Sequence, residues 1–142
     1  MTNNTIKQGV LFKGLSKKVI VTQFDQDHAS SDGGALLLKA CDEGLKLSES
    51  LAACLSDNRQ QGKVKHSLQE LFRQRMFSIA CGYADTNDSA RLAMDPVFKT
   101  MSDRDPVTGS ALASQPTLSR FENKVRRADL LRMGETLADS VI

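Results

Sequence analysis

SLQELFRQRMFSIACGYA, residues 67–84, decides how this chain is read. Ser67 followed by Glu70 is a capping box, in which each side chain satisfies a free backbone amide at a helix start. Leu68, Leu71, Phe72, Met76, Ile79, Ala80 and Tyr83 recur at helical spacing, with Arg75 the one charged interruption. Phe77 and Cys81 fall off that stripe, so the second half is apolar nearly all round. A helix of this kind runs through the middle of a bundle. The spacing therefore predicts an organising core helix over 67–84 and a mainly α, bundle-like domain.

Toward the N-terminus, Ser31 and Asp32 are suited to cap a helix through Leu36, Leu37, Leu38, Ala40 and Cys41, with Gly44 as its stop. A second short helix fits Ser48 to Leu55, broken by SDNRQQG. Further back, VLF and VIVTQF flank a turn-like KGLSKK, which predicts a short N-terminal β element between Val10 and Phe24, either a hairpin or edge strands. Residues 1–6 are polar and are expected to be disordered. On the other side, residues 87–101 fit one or two short helices joined at Asp95-Pro96, and residues 102–111 are loop by composition. The last segment, residues 128–142, places Leu130, Met133, Leu137 and Val141 on one helix face and Arg132, Glu135 and Asp139 on another. No Gly, Asn or Pro ends it, a pattern expected of a chain that continues.

The chain has 142 residues, enough for one domain spanning 1–142 with a modest core. Aromatic residues make up 5% and Trp is missing, which excludes a wide base-stacking platform. The formal charge of +2 neither requires nor excludes a nucleic-acid partner, because a local patch matters more than the sum. Three cysteines, Cys41, Cys54 and Cys81, are odd in number and lie in apolar runs. They read as small buried hydrophobes in a reducing, cytoplasmic protein. No stretch approaches the ~20 apolar residues that span a bilayer, and MTNNTIKQG lacks the apolar core of a signal peptide.

Two basic segments are the candidates for binding. In ASQPTLSRFENKVRR, residues 113–127, a continuous helix puts Leu118, Phe121 and Val125 on one stripe. Arg120, Lys124 and Arg127 then lie within a narrow arc on roughly the opposite side, and Ser114 can cap the start. Such a row can neutralise successive phosphates. It can equally be the wet face of an amphipathic helix. SQPTLSR sounds like a recognition helix, but DPVTG before it makes a poor helix and Leu112 stands where a turn glycine is wanted, so no standard helix-turn-helix is assigned. The second segment holds Arg59, Lys63, Lys65 and His66, followed by Arg73 and Arg75, with Glu70 the only acid between 59 and 75. Positive charge at a helix start opposes the macrodipole, which favours a partner there slightly.

Other chemistry is weakly signalled. Asp25, Asp27 and His28 resemble metal ligands only by residue type. Asp85, Asn87 and Asp88 read as a turn and cap, since the twelve-residue calcium loop with its terminal Glu is missing. No phosphate-cradling glycine loop or nucleophile elbow occurs. Neither a cofactor nor an active site is predicted.

Four longer motifs occur in order: SDGGALLLKACDEGLKLSESLAACLSDNR, KHSLQELFRQRMFSIACGYADTND, MDPVFK and LASQPTLSRFENKV. Together they resemble the N-terminal region of bacterial DDE transposases of the insertion-sequence thirteen-eighty family, over roughly residues 24–142. The resemblance implies an enzyme that cuts and joins DNA with three carboxylates and divalent metal on an RNase H-like domain. It places the first catalytic Asp beyond the helix matching residues 128–142, so no catalytic residue is carried over. What it implies for these residues is binding of duplex DNA at the element's terminal inverted repeats and packing against the catalytic core. The expected contacts are Arg120, Lys124, Arg126 and Arg127, with Arg59, Lys63, Lys65 and Arg73 as a secondary patch. The alternative is a protein-interaction module that forms a homodimer or docks on a catalytic domain or an intact transposase.

Overall fold

In the computed structural model, which describes residues 29–141, the described residues form seven α-helices. They are α1 (Leu36–Leu45), α2 (Leu47–Ala53), α3 (Leu68–Ala80), α4 (Ser89–Leu92), α5 (Pro96–Met101), α6 (Gln115–Glu122) and α7 (Arg127–Val141). The β element expected between Val10 and Phe24 lies outside the described residues, as do Asp25, Asp27 and His28.

The ends of α3 follow from local chemistry. The Glu70 N–H donates to Ser67 Oγ at 3.1 Å, and the Ser67 N–H donates to Glu70 Oε2 at 2.7 Å, completing the predicted capping box. At the other end Gly82 adopts φ 91°, a left-handed conformation that glycine takes without steric cost. Its N–H reaches the Ile79 carbonyl at 3.0 Å, and the Tyr83 N–H reaches Ser78 at 2.8 Å. This Schellman motif stops the helix at Ala80, short of the expected Ala84.

The buried face of α3 differs from the expected stripe. Leu71, Gln74, Phe77 and Ser78 face inward, whereas Ile79 is 52% exposed. A helix apolar nearly all round does not choose its inner face by composition; its neighbours choose it. Phe77 enters a core with Leu36, Leu92, Phe98, Met101 and Leu112, while Leu71 enters a second cluster with Ala113 and Leu118. Gln74 sits between the clusters. Its Nε2 donates to the Ala113 carbonyl at 3.0 Å, and its Oε1 accepts the Ala113 N–H at 3.0 Å. One buried side chain thus satisfies both backbone groups of the residue that leads into α6.

The other helices turn where side chains take over backbone groups. Gly44 lies inside α1, and the helix stops instead at Lys46, which takes the left-handed conformation at φ 53°. Asp42 explains the corner, because its carboxylate accepts the Ser48 N–H at 2.7 Å and the Ser48 hydroxyl at 2.5 Å, latching α2 onto α1. Asp32 does not cap with its side chain; a short 3-10 turn, Gly33–Ala35, precedes α1, and the Asp32 carboxylate accepts the Tyr83 hydroxyl at 2.8 Å. Asp95 caps α5 at the predicted Asp-Pro junction, accepting from Val97 and Phe98. In the 102–111 loop, Asp105 Oδ1 accepts the N–H groups of Val107 and Thr108. A Cβ on Gly109 would meet the Asp105 carbonyl oxygen at 2.3 Å, so only glycine fits.

A charged network ties these pieces together. Lys39, 2% exposed, pairs with Glu43 and Asp103, and Arg73 pairs with Asp103 and approaches Asp42. The two cations hold the Asp103 carboxyl below its usual range against the opposing effect of burial. Among the cysteines, Cys41 is exposed on α1, contrary to its apolar sequence context, and Cys54 and Cys81 are half-buried. No helix among the described residues is long and apolar enough to cross a membrane.

Replacing Gln74 by Leu keeps the volume and strands the Ala113 N–H and carbonyl, each a loss of about 1–3 kcal/mol. Gln74→Leu is expected to lower unfolding free energy by about 2–4 kcal/mol in urea titrations, with the midpoint falling at unchanged slope. A change below about 0.5 kcal/mol would show that Ala113 finds other partners.

Candidate nucleic-acid interface

The segment carrying the first basic row is not one helix. Helix α6 ends at Glu122, residues 123–126 turn, and α7 begins at Arg127. Arg120 therefore stands on α6, Lys124 and Arg126 on the turn, and Arg127 at the start of α7. Leu118 is fully buried, with Phe121 and Val125 half-buried, so the apolar side of the row is as the spacing predicts. Ser114 occupies the N-cap position with extended backbone but does not cap; its Oγ pairs with Thr117 Oγ1 at 3.1 Å.

Asp129 makes the break. In the first turn of α7 its Oδ2 accepts the Arg126 N–H at 2.9 Å, satisfying one of the amides a helix start leaves free. Its Oδ1 accepts the Ser56 hydroxyl at 3.0 Å and also pairs with Arg132. The Arg126 N–H, above all, holds this carboxyl below its usual range, with Ser56 and Arg132 adding to the effect. Arg132 also donates to the Cys54 carbonyl at 2.8 and 3.1 Å, which docks α7 on the end of α2.

The predicted contact residues divide into two groups. Arg120, Lys124, Arg126 and Arg127 are exposed and form no ion pair among the described residues. Lys63 and Lys65 are exposed in the same way. Arg59 instead forks onto Asp57, with Nε and Nη2 each 2.7 Å from a carboxylate oxygen, and its Nη1 donates to the His66 carbonyl at 2.8 Å. Arg73 belongs to the charged network between α1, α3 and Asp103. Arg75, from the same cluster, pairs with Glu122 and donates to the Tyr83 and Ala84 carbonyls beyond the end of α3. His66 is buried, its Nδ1 3.0 Å from Arg104 Nη2. Burial first and Arg104 second push its pKa down.

Arg104 carried no signal in the sequence. Its guanidinium joins His66, Glu70 and the carbonyls of Ser110 and Ala111, fastening the loop before α6 to the start of α3. One cleft of about 300 Å³ is lined by Arg120, Lys124 and Arg126 of the first basic segment and by Arg59 of the second, with Asn58 beside it. Its apolar lining comes from Leu55, Leu68, Leu71, Phe121 and Val125, and the rest of the lining is polar or charged. A second, apolar groove of about 460 Å³ runs between α3, α6 and α7, with Phe72, Met76, Ile79, Leu130 and Met133 along it. Asp85 acts as a turn cap, accepting the Asn87 N–H at 2.9 Å. Among the described residues no group of three His, Cys, Asp or Glu side chains is placed to hold a metal ion.

A depressed carboxyl contributes stability that is full above its unfolded value near ~3.9 and fades as pH falls through the folded value. Asp129→Asn is therefore expected to lower the urea midpoint at pH 7 and to differ less from the parent at pH 3. An equal deficit at both pH values would mean that the charge of Asp129 contributes nothing.

Neither a curated protein nor a solved structure matches the chain. A family model does, that of the transposase DDE domain, group 1, over residues 12–142. With almost the whole length matched, the chain belongs to the group 1 DDE-domain transposases.

Proposed function

We propose that this chain is the DNA-binding N-terminal part of a bacterial, cytoplasmic DDE transposase of the insertion-sequence thirteen-eighty type. In this reading it engages the duplex at the element's terminal inverted repeats, and the carboxylates that cut DNA belong to a catalytic domain outside these residues. The observation that carries the proposal is the row Arg120, Lys124, Arg126 and Arg127, four exposed cations whose side chains form no close ion pair among the described residues, although the charge of Arg126 is felt by Asp129. Cations already neutralised would have to break an ion pair to bind phosphate; these exchange only water and counterions. Lys63 and Lys65, also exposed, and Arg59 and Arg73, which pair with carboxylates, are the proposed secondary patch.

The second reading is a protein-interaction module. It is favoured by the apolar groove beside α7 and by Leu130, Leu131 and Leu137, which are 57%, 62% and 43% exposed. Association that grows with concentration in sedimentation runs is its expected signature, and a strictly monomeric chain would remove the dimer form of it.

For the DNA reading, the double substitution Arg120→Ala/Lys124→Ala is expected to weaken duplex binding. It should also reduce the slope of log K against log salt by about 1.8, roughly 0.9 for each lost phosphate contact. Arg73→Ala should lower stability and leave that slope alone. An unchanged slope in the double variant would move the interface elsewhere.

A further inference from the structure

The cleft between residues 55–59, the first turns of α3 and the α6–α7 turn has two kinds of surface. Five apolar side chains line it, with Phe121 the aromatic among them, and Arg120, Lys124 and Arg126 line it as well. At about 300 Å³ it lies at the small end of ligand pockets, which run from ~300 to 1,000 Å³. A double helix cannot enter such a space and can only lay phosphates across the rim. A base that has left its stack can enter. It brings a flat apolar face for the wall and two flanking phosphates for the cations.

Two carboxylates line the cleft and neither opposes a phosphate freely. Asp57 is held by the Arg59 fork, and Asp129 by the Arg126 N–H, Ser56 and Arg132. Asn58 also lines it, and its side-chain amide makes no hydrogen bond among the described residues. An amide of that kind offers both donors and an acceptor to the edge of a base.

We propose that this cleft holds one unpaired nucleotide of DNA, with the base against Phe121 and the neighbouring phosphates on Arg120, Lys124 and Arg126. The proposal rests on the DNA-binding reading above and names the part of the substrate that the cleft takes. Its test uses two duplexes of one sequence, one fully paired and one with a single extrahelical 2-aminopurine, titrated with the full chain at low salt. The bulged duplex is expected to bind about tenfold tighter, with the probe's emission moving to the blue as the base leaves water. Phe121→Leu, which keeps apolar volume against Leu71 and Leu118 but removes the ring, should cut the preference to about twofold or less. Should that variant fail to fold, the emission of the probe with the unaltered chain decides alone. Equal affinities, or a preference with unchanged emission, overturn the cleft proposal and leave DNA binding standing. No binding of either duplex by folded chain overturns both.

Discussion

The pairing of Gln74 with Ala113 is the constraint on which the rest of the structure depends. Ala113 is 1% exposed, so its N–H and carbonyl have no water to turn to. A single amide in the middle of α3 takes both. This fixes the distance and direction at which the chain leaves the 102–111 loop, and α6 follows with Leu118 fully buried beneath it. The candidate interface is one helical turn further on. Its placement therefore rests on a neutral, buried hydrogen-bond pair, not on the charges that make it basic.

Those charges are sorted by their surroundings. Arg59, Arg73, Arg75, Arg104 and Arg132 each pair with a carboxylate and, Arg73 apart, cap carbonyls as well; the planar fork of arginine suits such positions. Withdrawing one would leave a partly buried carboxylate or carbonyl without its partner. Arg120, Lys124, Arg126 and Arg127 have no such partner among the described residues and are held only through their backbone. A formal charge of +2 thus coexists with a concentrated positive surface, because much of the acid is consumed by arginines that build the fold.

Buried ion pairs contribute less to stability than to geometry, since desolvation offsets much of their attraction. The Lys39, Arg73 and Asp103 cluster is of this kind on its cationic side, with Lys39 buried and Arg73 largely so, while the Asp103 side chain is 62% exposed. It gathers α1, α3 and Asp103, two residues past α5, at one point, and Asp103 adopts a left-handed φ of 60° there. The clasp of Arg104 on His66 and Glu70 does the same for the two basic segments, using the glutamate of the capping box a second time.

What was legible in the sequence is what depends on neighbours in the chain. The capping box at Ser67, the Asp95-Pro96 start of α5, the Asp85 turn and the glycine-bearing loop all use partners within a few residues, and each lies where the residue types demand. Helix content and the core role of residues 67–84 were equally readable, because 3.6-residue periodicity is local. The tertiary structure alone decided which face of α3 turns inward, since Phe77 and Ile79 are equally apolar and only packing distinguishes them. It decided that α1 passes through Gly44 to end at Lys46, because Asp42 reaches forward to Ser48. It also divided the basic residues into structural and exposed sets and broke the expected row at Asn123. A cation's partner lies anywhere from 2 to 64 residues away, as Asp57 does from Arg59 and Asp103 from Lys39, and no local rule reports it.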